Sequence, residues 1–217
     1  MQLAEIEKRL AEEGDERGVA VLRKLGYEGP AYGVGITKLK KLAKEIGRSP
    51  QLSRELWRSE IYEAKLLSIF VADPKRIEKE ELEVMVSEIP GVDVLWQLPK
   101  MLAAKVPYAE SAMKSWLQRN EEMVLASGYH LSGILGADTR RGEDAFFQDV
   151  LSRIELEASD APNWVREAML YALIGIARRG NAFQSRAAEV WSRIAPVEID
   201  YGDTSCKPPD VEKALAG

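Results

Sequence analysis

Lys40, Lys44 and Arg48 recur every fourth residue, so a helix would carry all three on one face. Lys38 and Lys41 stand beside them, and Glu45 is the single acid in the stretch, which leaves a local charge of +4. Such a row suits the phosphates of a nucleic-acid backbone; a solvated helix face is the plainer alternative. Two further basic pairs, Arg140-Arg141 and Arg178-Arg179, stand at the ends of expected helices and suit the same use. Trp96 follows Asp93 by three residues near a helix start, so an aromatic face and a carboxylate share one side of a turn. That pairing can stack on a base or cradle a cationic ring. In the run Trp164 to Gly180, a stripe of Trp164, Glu167, Tyr171 and Arg178 lies beside an unbroken apolar stripe from Val165 to Ile176. One face can anchor in a core while the neighbouring face holds chemistry.

Other chemistries are poorly supplied. The chain has one histidine, His130, and one cysteine, Cys206, too few for a standard zinc site, and no metal or cofactor is expected. His130 sits in ASGYHLSGILG, a small-residue segment suited to close helix contact, and reads as an interface histidine. A Ser-His-Asp triad has no nucleophile elbow to support it. Neither a GxGxxG after a strand nor a GxxxxGK[ST] phosphate loop is present. Five tryptophans punctuate the chain, most of them expected as core anchors.

The 217 residues are 46% hydrophobic and carry a net charge of −5. That charge argues against indiscriminate nucleic-acid binding and leaves room for a local basic groove. A lone cysteine fits a reducing compartment. The N-terminus is charged from Glu5 onward and reads as neither signal nor transit peptide, and no apolar run reaches spanning length. A cytoplasmic protein, a monomer without a membrane, is expected.

The positioning elements read as helix after helix. Helices are expected over 1–13, from an Asp15 cap to Gly26, from a Thr37 cap to Ile46, and over 50–59, 61–72 and 79–89. They continue over 94–105 with Pro99 tolerated or kinking, from Pro107 to Arg119, and over 121–135, 143–158, 164–179 and 182–194. No paired alternating runs call for a sheet. Short helices in pairs recurring every ~40 residues fit an all-α, HEAT-like array stacked into a curved superhelix over 1–196, with a plain bundle as the alternative. Residues 197–217 read as an irregular tail packed on the last repeat.

Several segments together resemble the AlkD-type DNA alkylation repair proteins, a family of HEAT-like-repeat DNA glycosylases. They are YGVGITKLKKLAKEIG, ELWRSEIYEAKLLSIFVADP, VREAMLYALIGIARRG and IDYGDTSCKPPD, in that order between Tyr32 and Asp210. The resemblance implies a solenoid that clasps duplex DNA through its backbone, and excision of cationic alkylpurines by hydrolysis of the glycosidic bond. A cationic purine is already a good leaving group. A carboxylate then need only stabilise the developing oxocarbenium charge and position a water.

This chain departs from the family where the chemistry lies. The family pattern has a Trp followed by an Asp four residues on, within Trp-Asp-x-x-Asp. If Trp96 matches that Trp, Lys100 stands at the Asp; one residue earlier, Leu95 and Pro99 take the two places. Asp93 is the nearby acid, and Tyr171 aligns with the second family aromatic. The family's positively charged residue in the middle repeat has no clear match here, where the segment Ser127 to Gly133 offers His130 instead of Arg. The resemblance therefore implies a DNA-binding protein with weak or absent excision, its candidate site Asp93, Trp96 and Tyr171. Its DNA contacts would be Lys38, Lys40, Lys41, Lys44, Arg48, Arg140, Arg141, Arg178 and Arg179. The alternatives are an active glycosylase with a relocated carboxylate and a helical scaffold for a protein partner.

Overall fold

The computed structural model describes residues 1–216, which form thirteen α-helices and no strand. No helix among them is long and apolar enough to cross a membrane. The chain gathers into two compact units. The first comprises Met1–Pro107 with Tyr201–Ser205; the second comprises Tyr108–Asp200 and the stretch from Cys206.

The first unit holds α1 (Leu3–Glu12), α2 (Glu16–Lys24), α3 (Ile36–Ile46), α4 (Pro50–Arg58), α5 (Tyr62–Val71), α6 (Lys79–Ser87) and α7 (Val92–Gln97). Helix α5 is its axis, packed on α3, α4 and α7. Every residue of α5 except Lys65 is buried. That fits its sequence, apolar nearly all round, which only a helix surrounded by others can bury. Helix α2 is capped as expected, with the Asp15 carboxylate accepting the Arg17 N–H at 2.9 Å. Helix α3 begins one residue before the expected Thr37 cap. Gly35 is its N-cap, and the Lys38 and Leu39 N–H groups donate to the Gly35 carbonyl at 3.0 and 3.2 Å.

The expected helix 94–105 is replaced by three pieces. Helix α7 ends at Gln97, a π-helical turn runs over Leu98–Leu102, and a 3-10 turn over Ala103–Lys105. Pro99 has no N–H to continue the ladder, and the chain widens at that point.

The second unit holds α8 (Ala109–Trp116), α9 (Glu122–Gly136), α10 (Asp144–Glu157), α11 (Asn163–Ala177), α12 (Asn181–Ile194) and α13 (Val211–Ala216). Helix α8 starts two residues after the expected Pro107. Helices α9 and α11 form the principal contact, and α10 and α12 pack on each other beside them. Gly133 and Gly136 allow this approach, since a Cβ at either would lie within 3 Å of α11, while Gly128 lets α9 close on the end of α8 in the same way. The short α13 was not expected in the tail. The Asp210 carboxylate caps it by accepting the Lys213 N–H at 3.0 Å, and Val211 and Leu215 bury one stripe. It packs on α11 and α12.

Candidate nucleic-acid interface

Leu39, Leu42 and Ala43 bury one face of α3, so the lysines between them must face outward. Lys38, Lys40, Lys41, Lys44 and Arg48 are all exposed. Gly47, at φ 76, ends the helix in a conformation suited to glycine. Arg48 therefore lies beyond the helix and not in the helical register expected for it with Lys40 and Lys44; the chain turns and points it back onto α5. Its Nη1 donates to the carbonyls of Phe70, at 3.3 Å, and Ala72. Lys40 holds its ammonium 5.5 Å from the Phe70 ring centre. Lys40, Lys44 and Arg48 thus rim one recess of about 460 Å³, with Phe70 and Met101 also in its wall.

Among the described residues none of these three cations is in an ion pair. Lys105 adds to the excess. Burial and then the Arg48 charge lower its pKa, so positive charge is crowded here. Lys38 is turned elsewhere and donates to the Glu13 carbonyl at 3.0 Å. Glu45, the acid of this stretch, is taken by Arg9 at 2.5 Å.

The arginines of the second unit are differently placed. Arg140 is 86% exposed along its side chain, yet it forms a two-pronged pair with Asp138, at 2.9 and 2.8 Å, that holds the carboxylate down to about 2. Arg141 reaches Glu110 at 3.2 Å. Arg178 is exposed. Arg179, expected with it as a backbone contact, is buried at 7% exposure. Its guanidinium donates to the Asp144 carboxylate at 2.6 Å and to the carbonyls of Gly136, Asp138, Arg141 and Gly142. Phe147 lies 4.6 Å from it. Each of its three nitrogens donates inside the protein, as a buried guanidinium requires. Arg179 is thus the hub of the loop between α9 and α10, buried and turned inward rather than presented as a backbone contact.

Asp93 sits in the first turn of α7, half-buried, in a cavity of about 490 Å³ shared with Tyr62, Glu63 and the first turn of α3. Its N–H donates to the Tyr62 hydroxyl at 3.2 Å. Burial, then the nearby Glu63 charge, raises the Asp93 pKa; a hydrogen bond with Tyr62 opposes them. Trp96 is half-buried on the same short helix, and Lys100 is exposed beyond it.

Glu63 is the residue that sequence reasoning missed. It is 1% exposed, and its carboxylate accepts the N–H groups of Tyr32, Gly33 and Val34 at 3.0, 2.6 and 3.2 Å. It therefore fixes the loop from which α3 starts. The signal was a carboxylate in an otherwise apolar helix, which must find donors when buried.

Tyr171 is 40% exposed, with its ring 5.3 Å from that of His130. Burial lowers His130 to about 4, and its Nε2 has no hydrogen-bond partner. Glu167, one turn before Tyr171, is buried, so the stripe that sequence placed beside the core is partly inside it. Among the described residues no group of three or more His, Cys, Asp or Glu side chains converges as a metal site would require.

Comparison with known proteins fits this architecture. A solved structure described as "A new family of proteins related to the HEAT-like repeat DNA glycosylases with affinity for branched DNA structures" superposes with a TM-score of 0.88. The match covers 100% of this chain and 93% of that one, at 17% sequence identity. The fold is therefore the HEAT-like repeat fold. Comparison with curated proteins by sequence gives no match. The profile of the family described as DNA alkylation repair enzyme matches residues 6–190, and the chain belongs to that family.

Proposed function

We propose that this protein binds DNA, both duplex and branched, through the cationic recess on α3, and that it excises alkylated purines weakly or not at all. The observation that carries the binding is the recess itself. Lys40, Lys44 and Arg48 line one depression without a carboxylate partner, in a chain whose net charge is −5. Segregation of unpaired positive charge is what backbone recognition requires. The affinity for branched DNA that describes the structurally similar protein supports the wider substrate class.

Weak excision follows from the acids. With Asp93 on the first Asp of the Trp-Asp-x-x-Asp pattern, Val92 takes the Trp position and Trp96 the second Asp. This register, like the other two, leaves the last position without a carboxylate. Asp93 itself is a poor substitute. An oxocarbenium-like transition state needs an anion, and burial beside Glu63 disfavours the charged form of Asp93.

The test pairs mobility shift with single-turnover release of 7-methylguanine and 3-methyladenine from alkylated duplex. Binding that weakens with salt, and no release above the protein-free rate, is the expected result. Release abolished by Asp93→Asn would establish a relocated carboxylate instead. Absence of binding at low salt would turn attention to a protein partner.

A further inference from the structure

We infer that the α3 recess is a pocket for one unpaired nucleotide at a DNA branch, its phosphate on the Lys40–Lys44–Arg48 rim and its base against Phe70 and Met101. The inference rests on the DNA-binding reading above and adds which part of the DNA enters the site.

Arg48 is anchored before any ligand arrives. Nη1 is tied to two carbonyls at the end of α5, while Nε and Nη2 have no protein partner among the described residues. A guanidinium held this way presents its free edge without further loss of side-chain freedom. Lys44 and Lys40 approach from one side of α3, and Lys105 is close enough for the Arg48 charge to lower its pKa. Like charges gathered without a carboxylate repel one another, and an anion set among them relieves that repulsion.

The wall chooses among anions. Half-buried Met101 and the small exposed part of Phe70 bring apolar surface into a recess of about 460 Å³, within the size range of small-ligand sites. A phosphate alone would leave that surface wet. In a duplex the phosphate ridge is exposed and the base faces are stacked away, so paired DNA can touch the rim and leave the apolar wall uncovered. A nucleotide freed from pairing carries both parts, a phosphate and a flat base with an available face. Methionine adapts to such a face without demanding one base. Gly47 adds no side chain at the mouth, where a Cβ would have nothing within 4 Å.

The full chain is titrated with a forked duplex carrying 2-aminopurine at its first unpaired position, and with a matched duplex carrying the probe in a pair. The fork is expected to bind about fivefold more tightly, with a probe signal that changes at the unpaired position alone. Met101→Gln, which keeps the side chain's length and makes it polar, is expected to bring the fork-to-duplex affinity ratio close to one. The wild-type probe signal needs no variant, so a misfolded Met101→Gln does not leave the inference untested. Equal affinities with an unchanged probe would overturn the nucleotide pocket and leave DNA binding standing. No binding of either DNA at about 50 mM salt would overturn both.

Discussion

The carbonyl oxygen of Gly133 on α9 faces Gly175 on α11 so closely that any side chain at Gly175 would overlap it. A Cβ at Gly133 would in turn lie 2.7 Å from the Tyr171 carbonyl oxygen. The two helices meet backbone to backbone, in a region where Leu131, Ala168 and Ala172 are fully buried. Gly175→Ala must push the pair apart and open the packing along its length. It is expected to cost about 3 kcal/mol in urea unfolding, despite alanine's better helix propensity. A stability change below about 0.5 kcal/mol would contradict the contact.

Arg179→Lys is expected to behave as a severe core substitution, although it keeps the charge. Lysine has three donors on a flexible stem, and cannot reach one carboxylate and four carbonyls spread around a plane. A loss of about 3 kcal/mol is expected, with faster proteolysis at residues 137–143. Arg178→Lys, next to it and exposed, is expected to stay within about 0.5 kcal/mol of the parent.

Acid should weaken the second unit through His130. Burial holds the folded imidazole at about 4, below its ordinary 6.5, so the unfolded chain binds the extra proton between those values. The contribution is complete above pH 6.5 and is lost as pH falls toward 4, by up to about 3 kcal/mol. Asp93, raised on folding, has the opposite sign, its contribution declining as pH rises. The comparison is therefore between the parent and His130→Gln. The parent's stability should fall more steeply over this window, and parallel curves would remove His130 from the account.

Cations that look alike in sequence should differ in DNA binding. Lys44→Ala removes a charge without a carboxylate partner and is expected to reduce the salt slope of log K by about 0.9. Arg140→Ala removes a guanidinium already paired with Asp138 and is expected to change the slope by less than half as much. Equal slopes for the two variants would show that pairing with carboxylate does not decide which cations meet phosphate.

Much of the fold was legible because it depends on neighbours in the chain. Leu39, Leu42 and Ala43 alternate with Lys40, Lys41 and Lys44 at helical period, which fixes both the helix and the direction its cations face. Asp15 before α2 and Gly47 after α3 mark boundaries by local hydrogen bonding and backbone freedom. Legibility failed at Pro99, where a missing N–H turned an expected helix into a π turn, and at α13, whose Asp210 cap follows two prolines. The candidate site was half legible. The α3 row was found, while Phe70, Met101 and Lys105 come from other parts of the chain.

The sequence by itself determined the all-helical class, the outward placing of Lys40 and Lys44, and the lack of a carboxylate four residues after Trp96. Those are properties of spacing and residue type. Only the tertiary structure decided which charges are spoken for. It set Arg48 against the end of α5, sank Arg179 into a ring of carbonyls, and gave Glu63 the loop before α3. Whether a charge is available is decided by burial and by partners some tens of residues away, and neither is encoded in the helical period that reveals its position.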